Sequence, residues 1–396
     1  MSILKGLRVV DAAGYIAGPC AATVLGDFGA DVIKVEPPGG DGYRNLSGLP
    51  GFPSAHTDFQ WQLDNRNKRS IELNLADQQD MEILHGLVAS ADVFVINHPL
   101  PVRRKLGLTY DDLAPLNDRL IYASLTGFGE SGPEADNRGY DLSTYWARSG
   151  LMHLVRNDMT GPPAGSVAGQ GDHPTGIALF GAIMLALYDR QQTGRGREVH
   201  SSLIANGLWS NAVFAQAALC KGEEPVRRPR EKPWTALINS YKARDGKWFI
   251  LSALQADRDW LRLVEAIERP YLADDPNFAT LEQRGAHVEE LVALLEPIFA
   301  EKDWAEWKTI FARVQLQAGP VYTTEAAVND AQARASGAIS TRSANPDMPE
   351  IIDSPMWLSG VEKTVARPAP EVDQHGDAIR DALASGASVW TDGQAQ

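Results

Sequence analysis

Leu7-Arg8-Val9-Val10-Asp11, a turn from Gly14 to Gly18 with Pro19, a segment Cys20 to Phe28 closed by Gly29, and then Ala30-Asp31-Val32-Ile33-Lys34-Val35-Glu36 form the stretch that decides the fold. Two apolar runs of strand length flank a segment of helical length. Parallel neighbours need a crossover of that size, so the stretch reads as a βαβ unit and implies a parallel sheet. Working outward, Ser70-Ile71-Glu72-Leu73-Asn74-Leu75, Asp92-Val93-Phe94-Val95-Ile96-Asn97 and Leu120-Ile121-Tyr122-Ala123-Ser124-Leu125 repeat the strand pattern, and Asp80 to Ala89 reads as a helix. Polar groups just past such strand ends are where open α/β sheets bind ligands. The fold class expected is α/β.

With 396 residues the chain exceeds one ordinary hydrophobic core, and two domains are expected. The large one is read as 1–225, completed by 326–396, and the small one as 226–325. The boundary follows Pro225-Val226-Arg227-Arg228-Pro229-Arg230-Glu231-Lys232-Pro233, which has the composition of a linker. Before it lie a helix from Ile177 to Tyr188, a strand Glu198 to Leu203 and a helix Ile204 to Leu219. After it, Asn239-Ser240-Tyr241-Lys242 and Lys247-Trp248-Phe249-Ile250-Leu251 flank Ala243-Arg244-Asp245-Gly246, a hairpin signal. Helices follow around Asp257–Ile267, Val288–Ala300 and Trp304–Val314. Val361 to Val365 reads as a strand in the returning tail, and Trp390 to Gln396 as a fraying end.

Apolar and charged residues make up 44% and 22% of the chain, as in ordinary globular proteins. The formal charge of −14 argues against nucleic acid or an anionic membrane as the main partner. No apolar run is long enough to span a bilayer, and the first residues open into a strand pattern rather than a signal peptide. Cys20 and Cys220 are too few for a disulfide framework. A cytoplasmic protein is expected. The 8 His residues are scattered without metal-ligand spacing, so no metal site is expected.

The chemistry centres on Gly171-Asp172-His173-Pro174-Thr175-Gly176, which follows a loop of Gly, Pro, Ser and Gln and opens an apolar helix. A carboxylate at a helix N-terminus gains about 0.3–1 kcal/mol from the partial positive charge there. Its pKa should be pulled down, leaving it anionic. Asp172 has two readings at this position, a favoured N-cap and a nucleophile toward an activated acyl group. The first βα turn invites a nucleotide reading too, but Gly14-x-x-x-Gly18-Pro19 lacks the G-x-G-x-x-G spacing and Pro19 removes an amide. That argues against a redox dinucleotide.

Leu4-Lys5-Gly6-Leu7-Arg8-Val9-Val10-Asp11, Ala17-Gly18-Pro19 and Leu25-Gly26-Asp27-Phe28-Gly29-Ala30-Asp31 resemble the class III CoA-transferase family, which includes formyl-CoA transferase, carnitine CoA-transferase and α-methylacyl-CoA racemase. The likeness continues through Asn67-Lys68-Arg69, Gly127-Phe128-Gly129-x-x-Gly132-Pro133, Gly139-Tyr140-Asp141, Gly171-Asp172, Thr193-Gly194-Arg195-Gly196, Asp274-Asp275-Pro276 and Gly319-Pro320-Val321. It spans nearly the whole chain.

The resemblance implies a large Rossmann-like parallel-sheet domain plus a smaller α+β domain, in an interlocked homodimer. It implies transfer of CoA from an acyl-CoA, with succinyl-CoA a reasonable donor, to a small carboxylic acid. Asp172 would be the nucleophile, carrying an aspartyl-CoA thioester. CoA enters as part of the substrate, and no permanently bound cofactor is expected. Amides at His173 to Gly176 would serve the oxyanions. Racemases of the family carry a His-Asp pair where this chain has Tyr140-Asp141. A phenol is a poor acid or base at neutral pH, so Tyr140 points to transfer, as an active-site hydroxyl or else as a core tyrosine. By the same resemblance the CoA contacts fall on Ile16, Ala17, Leu73, Asn97, His98, Lys105 and Arg138, with Arg104 a neighbouring candidate. Arg104 and Lys105 also fit a solvated face. Ile16 and Pro37 stand where formyl-CoA transferase has Gln and Arg, and its four-glycine lid has no counterpart here. Arg44, His56, Trp61 and the cluster Arg227-Arg228-x-Arg230 are candidates to meet an acidic acceptor, the cluster having also the look of an exposed linker.

Overall fold

The first βα turn connects strand β1 (Arg8–Asp11) through a helix (Ala17–Asp27) to β2 (Asp31–Glu36) in the computed structural model, which describes residues 2–391. With β3 (Lys68–Glu72), β4 (Val93–Ile96), β5 (Ile121–Thr126) and β6 (Glu198–Ser202) these strands form one sheet in the order β3-β2-β1-β4-β5-β6. Every neighbouring pair is parallel, with Val9 opposite Val32 on one side and Val93 on the other.

Alternate residues explain the apolar runs, because both faces of the sheet are covered. Val10, Ile33, Ile71, Phe94 and Tyr122 pack on one face with Leu84, Leu87 and Val88 of the helix Gln78–Ser90 and Ile379 of the helix Gly376–Ser385. Val9, Val32, Val93, Val95 and Ile121 pack on the other with Ala21 and Leu25 of the first helix and Leu179 and Ile183 of the helix Asp172–Thr193. Strand order reverses between β1 and β4. That leaves a crevice beyond their carboxyl ends.

The chain partitions into two units: residues 1–153, 164–223 and 335–396, and residues 154–163 and 224–334. The second contains the hairpin β7 (Ile238–Lys242) and β8 (Trp248–Ser252), paired with β9 (Ala318–Pro320). Its core gathers Tyr241, Phe249, Phe299, Trp307 and Phe311, with helices at Ala256–Ala266, Val288–Phe299 and Trp304–Arg313.

Four local expectations are corrected. The first helix begins at Ala17, inside the expected turn, because Pro19 sits in a first turn whose N–H groups need no helical partner. The segment expected as one helix from Ile204 to Leu219 is two, Leu203–Ser210 and Ala212–Leu219. Asn211 lies between them, and its side-chain amide donates to Ser149 O at 2.8 Å. Val361 to Val365 forms no strand. Instead Val361 packs beside Cys20, Val24 and Phe28, and Thr364 N donates to Asp27 O. Trp390, expected to fray, is buried and donates from Nε1 to Ser90 Oγ at 2.8 Å, whereas residues 392–396 lie outside the described residues. No helix among the described residues is long and apolar enough to cross a membrane.

Candidate active site

A cavity of about 550 Å3 opens at the crevice between β1 and β4. Its walls come from the residues that follow β1, β4 and β5 and from the loop before the Asp172–Thr193 helix. Ile16, Ala17, Asn97, His98, Arg138, Tyr140 and Asp172 all line it.

The floor beneath it is held by charge. Lys34 Nζ lies 3.1 Å from Asp41 and 4.0 Å from Asp11, and donates to Ala13 O. Lys68 Nζ has four acceptors within hydrogen-bonding distance to share its three protons: Asp11 at 2.8 Å, Pro19 O and Asp64 O at 2.9 Å, and Asn65 Oδ1 at 3.0 Å. Against the cost of burial, Asp11 and Asp41 raise the Lys34 ammonium above its ordinary value. Asn97 clamps the first turn to the end of β4, accepting from Gly14 N at 2.8 Å and donating to Gly14 O at 2.7 Å. Tyr15 takes the left-handed conformation, φ 62°, with its N–H on Asp41, and meets Tyr140 edge-on at 6.4 Å.

Asp172 is the first residue of its helix; the cap position belongs to Gly171, so Asp172 does not cap. A Cβ on Gly171 would come within 2.4 Å of the Tyr145 ring, which explains a glycine just before the carboxylate. Among the described residues the Asp172 side chain enters no ion pair. Its expected depression in pKa is overturned. Burial, then the charge of Asp141, pushes it up to about 7. The terminal charge of the helix is a small effect beside these two. The helix also offers fewer amides than expected: His173 N donates to Gly169 O, Thr175 N to Gly171 O, and Pro174 has none.

His173, half-buried, places Nε2 at 3.0 Å from Asp64 Oδ1 and Nδ1 at 3.1 Å from Gly169 O. Against burial, the hydrogen bond and charge of Asp64 raise it to about 9. The buried Cys20 thiol is pushed far up by desolvation, so it offers no competing thiolate. Burial, then Lys34, lowers His98, whose Nδ1 is buried without a partner. A neutral imidazole therefore lines the cavity.

Other candidates are not among the residues that line it. Leu73 is buried under the sheet with its N–H on Glu36 O. Arg104 and Lys105 are exposed on the helix Leu100–Leu106, Arg104 facing Asp136 at 3.4 Å. Arg44 is bound to Glu36 through two hydrogen bonds of 2.8 Å and stacks 3.6 Å over Trp61. Trp61 donates to Pro370 O, and His56 is exposed outside the lining. The arginine cluster lies in the second unit with its cations engaged: Arg227 on Leu154 O, Arg228 over Trp234, Arg230 on Glu296.

Asp64, Asp141, Gly169 and Tyr15 were missed. Asp141 stood in a quoted motif without a role. Asp64 had no local signal, since its partner is 109 residues away.

Among the described residues no group of three or more His, Cys, Asp or Glu is placed to hold a metal ion. A model of CoA-transferase family III matches residues 4–376. The (R)-2-hydroxy-4-methylpentanoate CoA-transferase of Clostridioides difficile is 32% identical over 378 residues, covering 94% of this chain and 93% of its own. The succinyl-CoA:glutarate CoA-transferase of Mus musculus is 31% identical over 383 residues, covering 95% and 85%. Among solved structures, a CAIB/BAIF family protein from Brucella suis superposes with a TM-score of 0.84 at 32% identity, covering 96% of this chain and 99% of that one.

Proposed function

The chain belongs to CoA-transferase family III, and from that premise we propose that it moves CoA from an acyl-CoA donor to a carboxylic acid through an aspartyl-CoA thioester on Asp172. The observation that carries this reading is a carboxylate that enters no ion pair among the described residues and lines the strand-end cavity together with Tyr140.

The Asp172 carboxylate attacks the thioester carbonyl carbon, and the C–S bond breaks to release CoA thiolate and leave a mixed anhydride. The thiolate attacks Asp172 Cγ and expels the donor acid as its carboxylate, which forms the aspartyl-CoA thioester. The acceptor carboxylate then attacks Cγ and expels the thiolate again. Finally the thiolate attacks the acceptor's carbonyl carbon in the second anhydride, giving the new acyl-CoA and freeing Asp172. Thioester energy is conserved throughout. The anhydrides require exclusion of water. Tyr140, edge-on to Tyr15, is assigned to the acyl oxygen. Ile16, Ala17, Asn97, His98 and Arg138 are assigned to CoA, with Arg104 and Lys105 outside the cavity as weaker phosphate contacts. A metal takes no part in this scheme. Succinyl-CoA is the first donor to try, because a relative's name includes it.

A homodimer belongs to the same reading. The helix Ala212–Leu219 is almost wholly apolar yet buries none of its residues, and Trp209 beside it is 81% exposed.

The test is intact-protein mass after mixing with a panel of acyl-CoAs, succinyl-CoA included, followed by peptide mapping. The expected result is a CoA adduct on the Asp172 peptide that hydroxylamine cleaves. Binding of CoA without an adduct from any donor overturns the reading, and deuterium uptake at the α-carbon of an acyl-CoA assigns a racemase instead.

A further inference from the structure

The groups around Asp172 are tied together in a way that fixes their protons. His173 Nδ1 is 3.1 Å from Gly169 O and Nε2 is 3.0 Å from Asp64 Oδ1. A carbonyl oxygen only accepts, and so does an ionised carboxylate. Both ring nitrogens therefore carry protons, and the ring is an imidazolium. Asp64 also accepts from Tyr43 Oη at 2.8 Å through its second oxygen, and its hydrogen bond and charge raise His173 against burial. A neutral histidine is the ordinary solution in a partly buried place, since a charged one loses hydration.

The clasp extends to the other side of the nucleophile. Gly169 N donates to Asp141 Oδ2 at 2.9 Å while Gly169 O faces His173 Nδ1, so the backbone of this one residue links Asp141 to His173. Gly169 adopts φ 78°, and a Cβ there would lie 3.1 Å from His173 Nδ1. Only glycine holds that bridge without strain. The charges that face Asp172 are then Asp141 from the helical turn Asp141–Ala147, Asp64 from the helix Phe59–Asn65, and His173 beside it. Two are negative and one is positive.

We propose that His173 is the positioning residue of this site: clasped between Gly169 and Asp64, its positive charge favours the anionic form of Asp172 against Asp141 and the loss of water. The proposal rests on the assignment of Asp172 as nucleophile. It makes His173 neither an acid nor a base in the reaction, because both ring protons are already donated. It also accounts for the ion pair's position, adjacent to a carboxylate whose ionisation burial opposes.

The test reads the Asp172 carboxyl directly and needs no substrate. Full-length protein labelled with 13C at the aspartate carboxyl carbons is titrated by NMR, and the Asp172 signal is identified by its loss in Asp172→Asn. The expected Asp172 midpoint is about 7 in the unaltered protein. In His173→Gln or His173→Asn, folded by circular dichroism, it moves up by about one pH unit, a tenfold loss of anion below the midpoint. His173→Lys restores the charge and brings the midpoint back to within about 0.3 unit of the original. An unchanged midpoint in a folded neutral variant, or failure of lysine to restore it, overturns the proposal. An unreactive Asp172 with the expected titration would instead defeat the transfer reading alone.

Discussion

Two clusters of charge lie within one unit of this protein, and they are built from the same residue types to opposite ends. Beneath the first βα turn, Lys34 and Lys68 meet Asp11 and Asp41, and each ammonium is surrounded by oxygens within hydrogen-bonding reach. Around Asp172, three carboxylates share one imidazolium. The first cluster holds Asp41 below the ordinary carboxylate range, Lys34 and the amides of Tyr43 and Tyr15 outweighing burial. The second pushes Asp172 up to about 7. Burial is common to both, so it is the balance of charge that separates a depressed carboxyl from a raised one.

Breaking the paired cluster should have the largest effect. Lys68→Met takes from Asp11 its nearer cation, leaving Lys34 at 4.0 Å, and strands the carbonyls of Pro19 and Asp64; breaking a buried ion pair costs about 3–5 kcal/mol. Urea denaturation or loss of soluble protein measures it; a stability change below about 1 kcal/mol would mean that the cluster is not a foundation.

The unbalanced cluster should respond in the opposite sense. Asp172→Asn abolishes the CoA adduct and stabilises the fold. The carboxyl rises from 3.8 to about 7, so ionisation opposes folding progressively across that interval. The gain is therefore absent near pH 4 and complete near pH 8, where a Tm rise of about 1–4 °C is expected by calorimetry. Equal Tm values at both pH values would contradict the raised carboxyl.

His173 sharpens the contrast further. Its value rises from 6.5 to about 9, so its pairing with Asp64 supports the fold fully below about 6.5 and loses that support as pH climbs through about 9. Because the side chain is 39% exposed, the effect in His173→Gln should be on the order of 1 kcal/mol in unfolding free energy at neutral pH and vanish at high pH.

The smallest effects concern CoA. Arg138 lines the cavity, and Arg138→Ala should weaken CoA binding about tenfold, by calorimetric titration. Arg104, 60% exposed opposite Asp136, should matter less than about threefold. Equal losses would place the phosphates outside the cavity.

The βαβ stretch was legible because strand and helix announce themselves locally. Val9, Val32 and Val93 alternate with Val10, Ile33 and Phe94 on the two faces, a pattern that neighbouring residues set between them. Asp172 was legible as a residue worth singling out, and Tyr140 as its companion. The break at Asn211 was not, because a carbonyl 62 residues away draws its amide. Nor was the seat of Trp390, whose partner Ser90 is 300 residues distant.

The sequence by itself determined the parallel sheet, the hairpin of the second unit and the position of the Asp172 carboxylate at the head of its helix, because periodicity, turn residues and helix starts depend on near neighbours. Tertiary structure alone decided the ionisation of that carboxylate. Asp64, Asp141 and Gly169 reach Asp172 and His173 from separate segments, and a group's pKa depends on the charges and the water around it in space, which no local stretch of chain encodes.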